Sequence, residues 1–312
     1  MFIQLLMLIT GLALLYYGSS ILVEGAASTA VLFAVRPVII GLTIVSLATS
    51  APELLVSLVA AVKGSGAISI GNILGSNVIN IALVLGISAV IRPVAIQRQV
   101  VTIEIPYMLF ISIVFWLLCL DSAITRSDGI ILICFLLIFL LYGILTAKDK
   151  SNGKKTGNPR NHIKQICKNL FYMIAGIVML SFGANFVVKQ AIVLANEMGL
   201  SQTFIGISVV ALGTSLPELA TSAVAAARGE SDISVGNVVG SNLFNICLVM
   251  GVVGIFNPMS LDPALHSFQF PFMIFICFVL VAMAFVKKGV TKLGGIGFIF
   301  LFFLYITVSY IH

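Results

Sequence analysis

The sequence predicts an all-α integral membrane protein of ten transmembrane helices, arranged as two inverted five-helix repeats. Three observations support this fold. The chain is 60% hydrophobic and 9% charged, with a mean hydropathy of +1.17. Apolar runs of membrane-spanning length recur along it, and its second half repeats the first. Soluble globular domains do not have this composition.

Ten apolar runs are long enough to cross the hydrocarbon core of a bilayer, about 30 Å at a rise of about 1.5 Å per residue. The first run lacks a basic segment before it, so we expect a retained span rather than a cleaved signal peptide. Several runs are longer than one crossing needs, which predicts tilted or broken helices. The runs fall at about 2–24, 37–62, 67–91, 101–120, 128–147, 169–194, 203–227, 233–256, 267–286 and 291–311.

The basic residues predict the orientation of the chain. If both termini are extracellular, the loops inside hold 14 of the 17 Lys and Arg residues, as the positive-inside rule requires. The longest polar stretch, 148–168, is expected to be a flexible cytoplasmic linker between a first repeat, 1–147, and a second, 169–312. The net charge of +6 therefore reflects membrane orientation and does not indicate nucleic acid binding. The five scattered cysteines predict neither a zinc site nor a disulfide framework.

A shift of 165 residues reveals the repeat. TSAPELLVSLVAAVKGSGAISIGNILGSNVIN (49–80) aligns without gaps to TSLPELATSAVAAARGESDISVGNVVGSNLFN (214–245), and 18 of 32 positions are identical. The chain is therefore predicted to duplicate a five-span unit. Because five is odd, the second copy enters the membrane from the opposite side. Two inverted halves are typical of secondary transporters, whose site lies near the membrane midplane where the halves meet.

Both copies carry a glutamate inside an apolar span, Glu53 and Glu218. An ionised carboxylate at a helix centre costs about 2.5–3.5 kcal/mol on insertion scales, so two of them need a functional reason. Thr49 and Thr214 each precede a glutamate by four residues, and we expect each pair to share a helix face.

The following span of each copy adds a serine and an asparagine at the same spacing, Ser76 with Asn80 and Ser241 with Asn245. The combined set holds carboxylate, hydroxyl and amide oxygens, without His or Cys. Such a set suits hard cations such as Ca²⁺ or Na⁺ rather than zinc or copper. Glycine pairs with GxxxG spacing predict close helix approach beside these residues: Gly71, Gly75, Gly236 and Gly240.

Pro52 and Pro217 each directly precede one of the glutamates. Because proline lacks an N–H and clashes with the preceding turn, we expect it to free carbonyls near 46–49 and 211–214. Carbonyls without partners must be satisfied inside a membrane, and a bound cation can do this.

The segments ATSAPE with GNILGSNVIN, and GTSLPE with GNVVGSNLFN, resemble the two alpha-repeats of the sodium/calcium exchangers, within the cation/calcium antiporter superfamily. The resemblance covers the whole chain. It implies a prokaryotic-type antiporter, not an enzyme, that exchanges Ca²⁺ against Na⁺ by alternating access. The linker is too short for a regulatory domain. The spans at 2–24 and 169–194 would slide across the remaining helices.

The resemblance also implies roles for individual residues. Glu53 and Glu218 would bind Ca²⁺ directly, while Thr49 and Thr214 would contribute backbone carbonyls. The other implied ligands are the carbonyls of Ser46 and Ala211 and the side chains of Ser76 and Ser241 for sodium, Asn80 and Asn245 in the middle, and Ser50 and Ser215 beside the glutamates. An asparagine at 245, where some relatives carry an aspartate tied to potassium, argues against potassium cotransport. Ala48 stands where the second copy has Gly213, so packing is expected to differ around Thr49.

Alternatives from other classes are less consistent with these residues. A proton/calcium antiporter of the same superfamily would carry a glutamate in the GN-containing helix, and this chain has none there. A cation channel explains a discrete site with two carboxylates less well, and no arrangement typical of a membrane hydrolase lies in the spans. We expect a multi-pass protein of the plasma membrane that needs the lipid bilayer, Ca²⁺ and Na⁺, with no cofactor and no obligatory protein partner.

Overall fold

The computed structural model describes residues 2–147, 159–197 and 211–311, and most of this part is helical. We number the helices in chain order, joining segments that continue without a break. They are α1 Phe2–Phe33, α2 Pro37–Thr49, α3 Ala51–Val62, α4 Gly66–Ile91, α5 Val100–Leu118, α6 Arg126–Leu145, α7 Pro159–Glu197, α8 Ala211–Thr214, α9 Leu216–Arg228, α10 Ser231–Phe256, α11 Gln269–Lys287 and α12 Lys292–Ile311.

Eight of these helices are long and apolar enough to cross a membrane, and the bent pair α2 and α3 makes a ninth possible span. They coincide with nine of the ten predicted runs. The remaining run, 203–227, begins outside the described residues, and α8 and α9 follow it. The chain is therefore an all-α multi-pass membrane protein, as predicted.

Two short ladders tie loops of the two halves together. β1 (Val94–Ala95) pairs with β4 (Gly289–Val290), and β2 (Ala123–Ile124) pairs with β3 (Met259–Ser260), both antiparallel. Paired strands lie on one side of a membrane, so an even number of crossings must separate them. Between β2 and β3, helices α6, α7 and α10 supply three crossings. A fourth is needed, which is consistent with ten spans, and the predicted run at 203–227 stays a prediction because it begins outside the described residues.

Helices α4 and α10 form the centre of the molecule. In their most apolar stretches 83% of residues are buried, against 22–44% in the other six long spans. Both carry the GN and SN motifs of the repeat, and each contains a π-helical segment, Asn80–Leu85 or Phe244–Met250. Such π-segments are rare and are frequent at functional sites.

The two longest helices, α1 with 32 residues and α7 with 39, pack against each other through glycines. A Cβ on Gly11 would lie 3.0 Å from the Gly183 carbonyl oxygen, and a Cβ on Gly18 would lie 3.0 Å from that of Gly176. The offset of 165 residues relates Gly11 to Gly176 and Gly18 to Gly183, so the crossing itself follows the repeat.

The predicted linker is shorter than expected. Residues 148–158 lie outside the described part of the chain, but α7 already begins at Pro159, so the segment from there to residue 168 is helical rather than flexible. Proline suits the first turn of a helix, and the Lys, Arg and Gln residues that follow are good helix formers. The Gln165 side chain donates a hydrogen bond to Ser28 of α1 at 3.1 Å, which anchors this extension.

Candidate functional site

Both glutamates follow a break in a membrane helix. Helix α2 ends at Thr49, Ser50 has φ −82° and ψ 3°, and α3 begins with Pro52 in its first turn after a bend of 43°. In the second half Ser215 has φ −85° and ψ 5°, and Pro217 lies in the first turn of α9. Proline fits a first turn because the N–H that it lacks has no intrahelical partner there. The expected break is thus confirmed in both copies.

The break changes the predicted geometry of the site. Thr49 and Glu53 do not share the face of one helix, because α2 carries the threonine and α3 carries the glutamate. The carbonyl of Ser46 also keeps partners, contrary to expectation. The N–H of Ser50 donates to it at 2.9 Å, and the Thr49 hydroxyl lies 3.3 Å away. The last turn of α2 therefore closes normally before the chain bends.

Glu53 and Glu218 are fully buried and close enough to interact electrostatically. Neither oxygen of Glu53 has a hydrogen bond of ordinary geometry, although Thr214 and Ser215 lie near it. Ser50 donates to Oε1 of Glu218 at 3.4 Å, while Oε2 has no partner. In the described part of the chain neither glutamate pairs with Lys or Arg. Two buried carboxylates with a single hydrogen-bond donor between them are unstable unless protons or a cation neutralise them.

Contacts cross between the halves in a reciprocal pattern. The first-half residues Thr49 and Ser50 lie beside Glu218 of the second half. In turn, Thr214 and Ser215 lie beside Glu53 of the first half. Each glutamate is therefore surrounded by the helix break of the other repeat, so the two copies of the motif build one site.

The serines and asparagines of α4 and α10 add further polar atoms. Ser241 lies 3.3 Å from the Thr49 hydroxyl. The side chain of Asn245 donates to Asn77 at 3.2 Å, which leaves its oxygen without a partner. Ser76 and both polar atoms of Asn80 are buried without hydrogen bonds. For Ala211 the structure describes only its place as the first residue of α8.

The unpartnered atoms fit a hard cation. At the site they are carboxylate, hydroxyl and amide oxygens, the ligands that Ca²⁺ and Na⁺ take in proteins, together with the amide nitrogen of Asn80. Across the described ranges, no group of three or more His, Cys, Asp or Glu side chains forms a metal site of another type. The arrangement can therefore hold Ca²⁺ or Na⁺ by oxygen alone.

The glycine pairs behave differently in the two copies. Gly236 and Gly240 pack closely on α2, where added Cβ atoms would lie 2.6 Å from the Val38 carbonyl oxygen and 2.7 Å from that of Leu42. The predicted close approach is confirmed there. No described residue comes within 4 Å of a Cβ on Gly71, and a Cβ on Gly75 would meet only the Tyr305 hydroxyl, at 3.9 Å.

Sequence reasoning missed Asn72, Asn77 and Asn237, which are buried and bonded to predicted ligands. The signal was available, because the GN and SN dipeptides are identical in both copies. It also assigned no role to Glu104, which forms a buried ion pair with Arg36 at 3.5 Å.

Comparisons with known proteins agree with this geometry. A family model described as "Sodium/calcium exchanger protein" matches residues 3–145 and 168–311. The chain is 34% identical to "Inner membrane protein YrbG" of Escherichia coli, over 88% of this chain and 86% of that protein. It is 28% identical to "Sodium/calcium exchanger MaX1" of Methanosarcina acetivorans, over 92% of each. It is also similar to a solved structure of the sodium-calcium exchanger NCX_Mj soaked with 10 mM Na⁺ and zero Ca²⁺. That match has a TM-score of 0.87 and 30% identity, and covers 97% of this chain and 98% of that one.

Proposed function

The chain belongs to the sodium/calcium exchanger protein family, and we propose that it is an antiporter that exchanges Ca²⁺ against Na⁺ across the membrane. One observation carries the proposal. Glu53 and Glu218 are fully buried, come from two helix breaks related by the repeat, and keep oxygens without hydrogen-bond donors. A transport site shared by inverted halves has this form.

Charge balance explains why the site would exchange ions rather than leak them. Two ionised glutamates carry a charge of about −2, which one Ca²⁺ neutralises and which two Na⁺ also neutralise. A neutral loaded site crosses a low-dielectric region at far lower free energy than the bare site. The protein would therefore change its accessible side only when loaded. A third Na⁺ would leave the loaded site positive and make exchange electrogenic.

The proposed ligands follow the repeat. Glu53 and Glu218 would bind Ca²⁺, with the backbone carbonyls of Thr49 and Thr214. Na⁺ would bind the backbone carbonyls of Ser46 and Ala211 and the hydroxyls of Ser76 and Ser241. The side chains of Asn80 and Asn245 would line the centre of the site, and Ser50 and Ser215 would lie beside the glutamates. The free oxygens of Asn80 and Asn245 support this role, whereas the bonded carbonyl of Ser46 could give a cation only its second lone pair.

We also propose that the long helices α1 and α7 move together across the other helices. They pack on each other through the glycine pairs, and only 33% and 28% of the residues in their most apolar stretches are buried. Such a rigid pair can shift as a unit, as alternating access requires.

For the orientation, we propose that both termini are extracellular and that residues 148–168 lie in the cytoplasm, in a plasma membrane. The two ladders support the arrangement of the sides. β1 and β4 join two loops that the basic residues predict to be inside, and β2 and β3 join two that they predict to be outside.

Calcium uptake into proteoliposomes tests the proposal. Vesicles loaded with Na⁺ and diluted into Na⁺-free buffer with ⁴⁵Ca²⁺ should accumulate calcium, and vesicles without a Na⁺ gradient should not. A proton gradient in Na⁺-free buffer serves as the second arm. Uptake driven by protons and indifferent to Na⁺ would reject sodium exchange in favour of proton exchange. Uptake that needs no gradient of either ion would indicate a channel.

A further inference from the structure

Two buried asparagines connect the halves beside the site. Asn72 on α4 is 6% exposed and Asn237 on α10 is fully buried. Asn237 donates to the Ser222 hydroxyl at 3.0 Å, and its side-chain oxygen accepts the Thr49 hydroxyl at 3.1 Å. Asn72 repeats the arrangement: it donates to Ser57 at 3.0 Å and accepts from Thr214 at 3.4 Å. Each asparagine therefore joins the glutamate-bearing helix of its own half to the threonine of the other half.

Neighbouring groups fix which end of each amide faces the threonine. Ser57 uses its own proton on the Ser69 carbonyl at 3.3 Å, so its oxygen must accept, and the amide nitrogen of Asn72 must point to it. The amide nitrogen of Asn237 lies 3.5 Å from the Glu218 carbonyl, which can only accept. In both copies the amide oxygen is thus directed at the threonine hydroxyl.

A threonine hydroxyl has one proton, and the asparagine and the nearby glutamate compete for it, as does the Ser46 carbonyl at 3.3 Å in the case of Thr49. Thr49 lies close enough to Glu218 to donate to its carboxylate, and Thr214 stands in the same relation to Glu53. A hydroxyl that donated there would occupy a carboxylate oxygen with a charge-assisted bond. With the proton drawn to the asparagine, both oxygens of Glu53 and Oε2 of Glu218 are without donors.

We propose that Asn72 and Asn237 are positioning residues that draw the hydroxyl protons of Thr214 and Thr49 away from the two glutamates and so keep the carboxylate oxygens available to Ca²⁺. This inference rests on the proposed function, because it assumes that the carboxylates bind Ca²⁺. A positioning role of the two asparagines differs from a packing role in one respect. The effect of losing the asparagine must depend on the presence of the threonine hydroxyl.

A double-mutant cycle measures that dependence. Asn237→Ala, Thr49→Val and the double variant are reconstituted, and Na⁺-driven ⁴⁵Ca²⁺ uptake is measured against the Ca²⁺ concentration. Asn237→Ala should raise the KM for Ca²⁺ about ten-fold, the size expected for one competing charge-assisted hydrogen bond, with little change in the maximal rate. In the Thr49→Val background the same replacement should change the KM less than about two-fold, because no hydroxyl is left to compete.

Equal fold-changes of KM in both backgrounds would overturn the proposal and leave Asn237 a packing residue. If Asn237→Ala does not yield folded protein, Asn237→Leu takes its place, since it keeps the side-chain volume but cannot accept the Thr49 hydroxyl, and the same dependence on Thr49 is expected. The cycle of Asn72→Ala with Thr214→Val should repeat the result at Glu53. Wild-type protein without Na⁺-driven uptake would reject the proposed function itself, whereas additive cycles in an active protein reject only this inference.

Discussion

The contact between Gly213 and Val188 makes the two halves of the site different. A Cβ added to Gly213 would overlap Cγ2 of Val188 on α7 and lie 3.4 Å from its Cβ and Cγ1. The first half has Ala48 at the equivalent position, and the counterpart of Val188 there is Val23, which lines a cavity of about 390 Å³ between α1 and α9. Glycine thus lets α7 lie directly on the helix break of the second half.

Gly213→Ala should therefore displace α7 from the position seen in the structure. Valine in a helix strongly prefers one rotamer, so Cγ2 cannot turn away cheaply. Overpacking of this kind costs about 1–3 kcal/mol. If α7 moves between two positions during transport, that energy shifts the equilibrium between those positions by about 5- to 150-fold. We expect the maximal rate of Na⁺-driven calcium uptake to fall, measured in proteoliposomes at saturating Ca²⁺.

Two controls separate this explanation from general damage. Val188→Ala removes both γ carbons and should restore the rate of Gly213→Ala in the double variant. Ala48→Gly changes the same single methyl group in the other half, without a clash, and should have a smaller effect. An unchanged rate in Gly213→Ala, or a double variant as slow as Gly213→Ala alone, would show that the contact with Val188 does not control the transport rate.

Three further predictions concern residues around the site. Glu104→Gln should lower the free energy of unfolding in detergent by about 3 kcal/mol, because it leaves the charge of Arg36 buried without its partner. The KM for Ca²⁺ should not change. Equal thermal unfolding of the variant and the wild type would contradict the prediction. Arg228→Gln removes the hydrogen bond at 2.9 Å to the Ser20 carbonyl of α1 and should change the exchange rate about two- to five-fold. Lys63→Gln changes the equivalent position, where the described residues show no such bond, and should leave the rate unchanged. Equal effects of the two variants would show that the contact with α1 does not influence exchange. Asn245→Asp replaces an amide whose oxygen lacks a partner by a third carboxylate. The variant should bind Ca²⁺ more tightly but exchange it more slowly, because one Ca²⁺ no longer neutralises the site. Calcium binding and uptake measured on the same preparation check both directions.

The sequence predicts the membrane spans and the paired residues of the site because both depend on strong, local signals. A glutamate and a proline inside an apolar run are costly, and their exact repetition 165 residues later leaves few interpretations. The predicted spans accordingly match nine described helices or helix pairs, and Glu53 and Glu218 are both buried and close enough to interact electrostatically.

Other features depend on packing that no local pattern contains. The bend at Ser50 places Thr49 and Glu53 on different helices, whereas the prediction from their spacing required one continuous helix. The start of α7 at Pro159 depends on contacts with α1, so a polar composition suggested a linker instead. Asn72 and Asn237 bind threonines of the opposite half, and such contacts appear only when the halves are assembled.

The central claim is that one carboxylate from each repeat builds a single site that Ca²⁺ and Na⁺ share. Equilibrium binding of ⁴⁵Ca²⁺ to purified protein in detergent measures this directly. We expect one Ca²⁺ per chain, displaced by Na⁺, and loss of that binding in Glu53→Gln and in Glu218→Gln alike, with Glu104→Gln as the matched control that still binds. Two Ca²⁺ per chain, binding indifferent to Na⁺, or full binding in either site variant would contradict it.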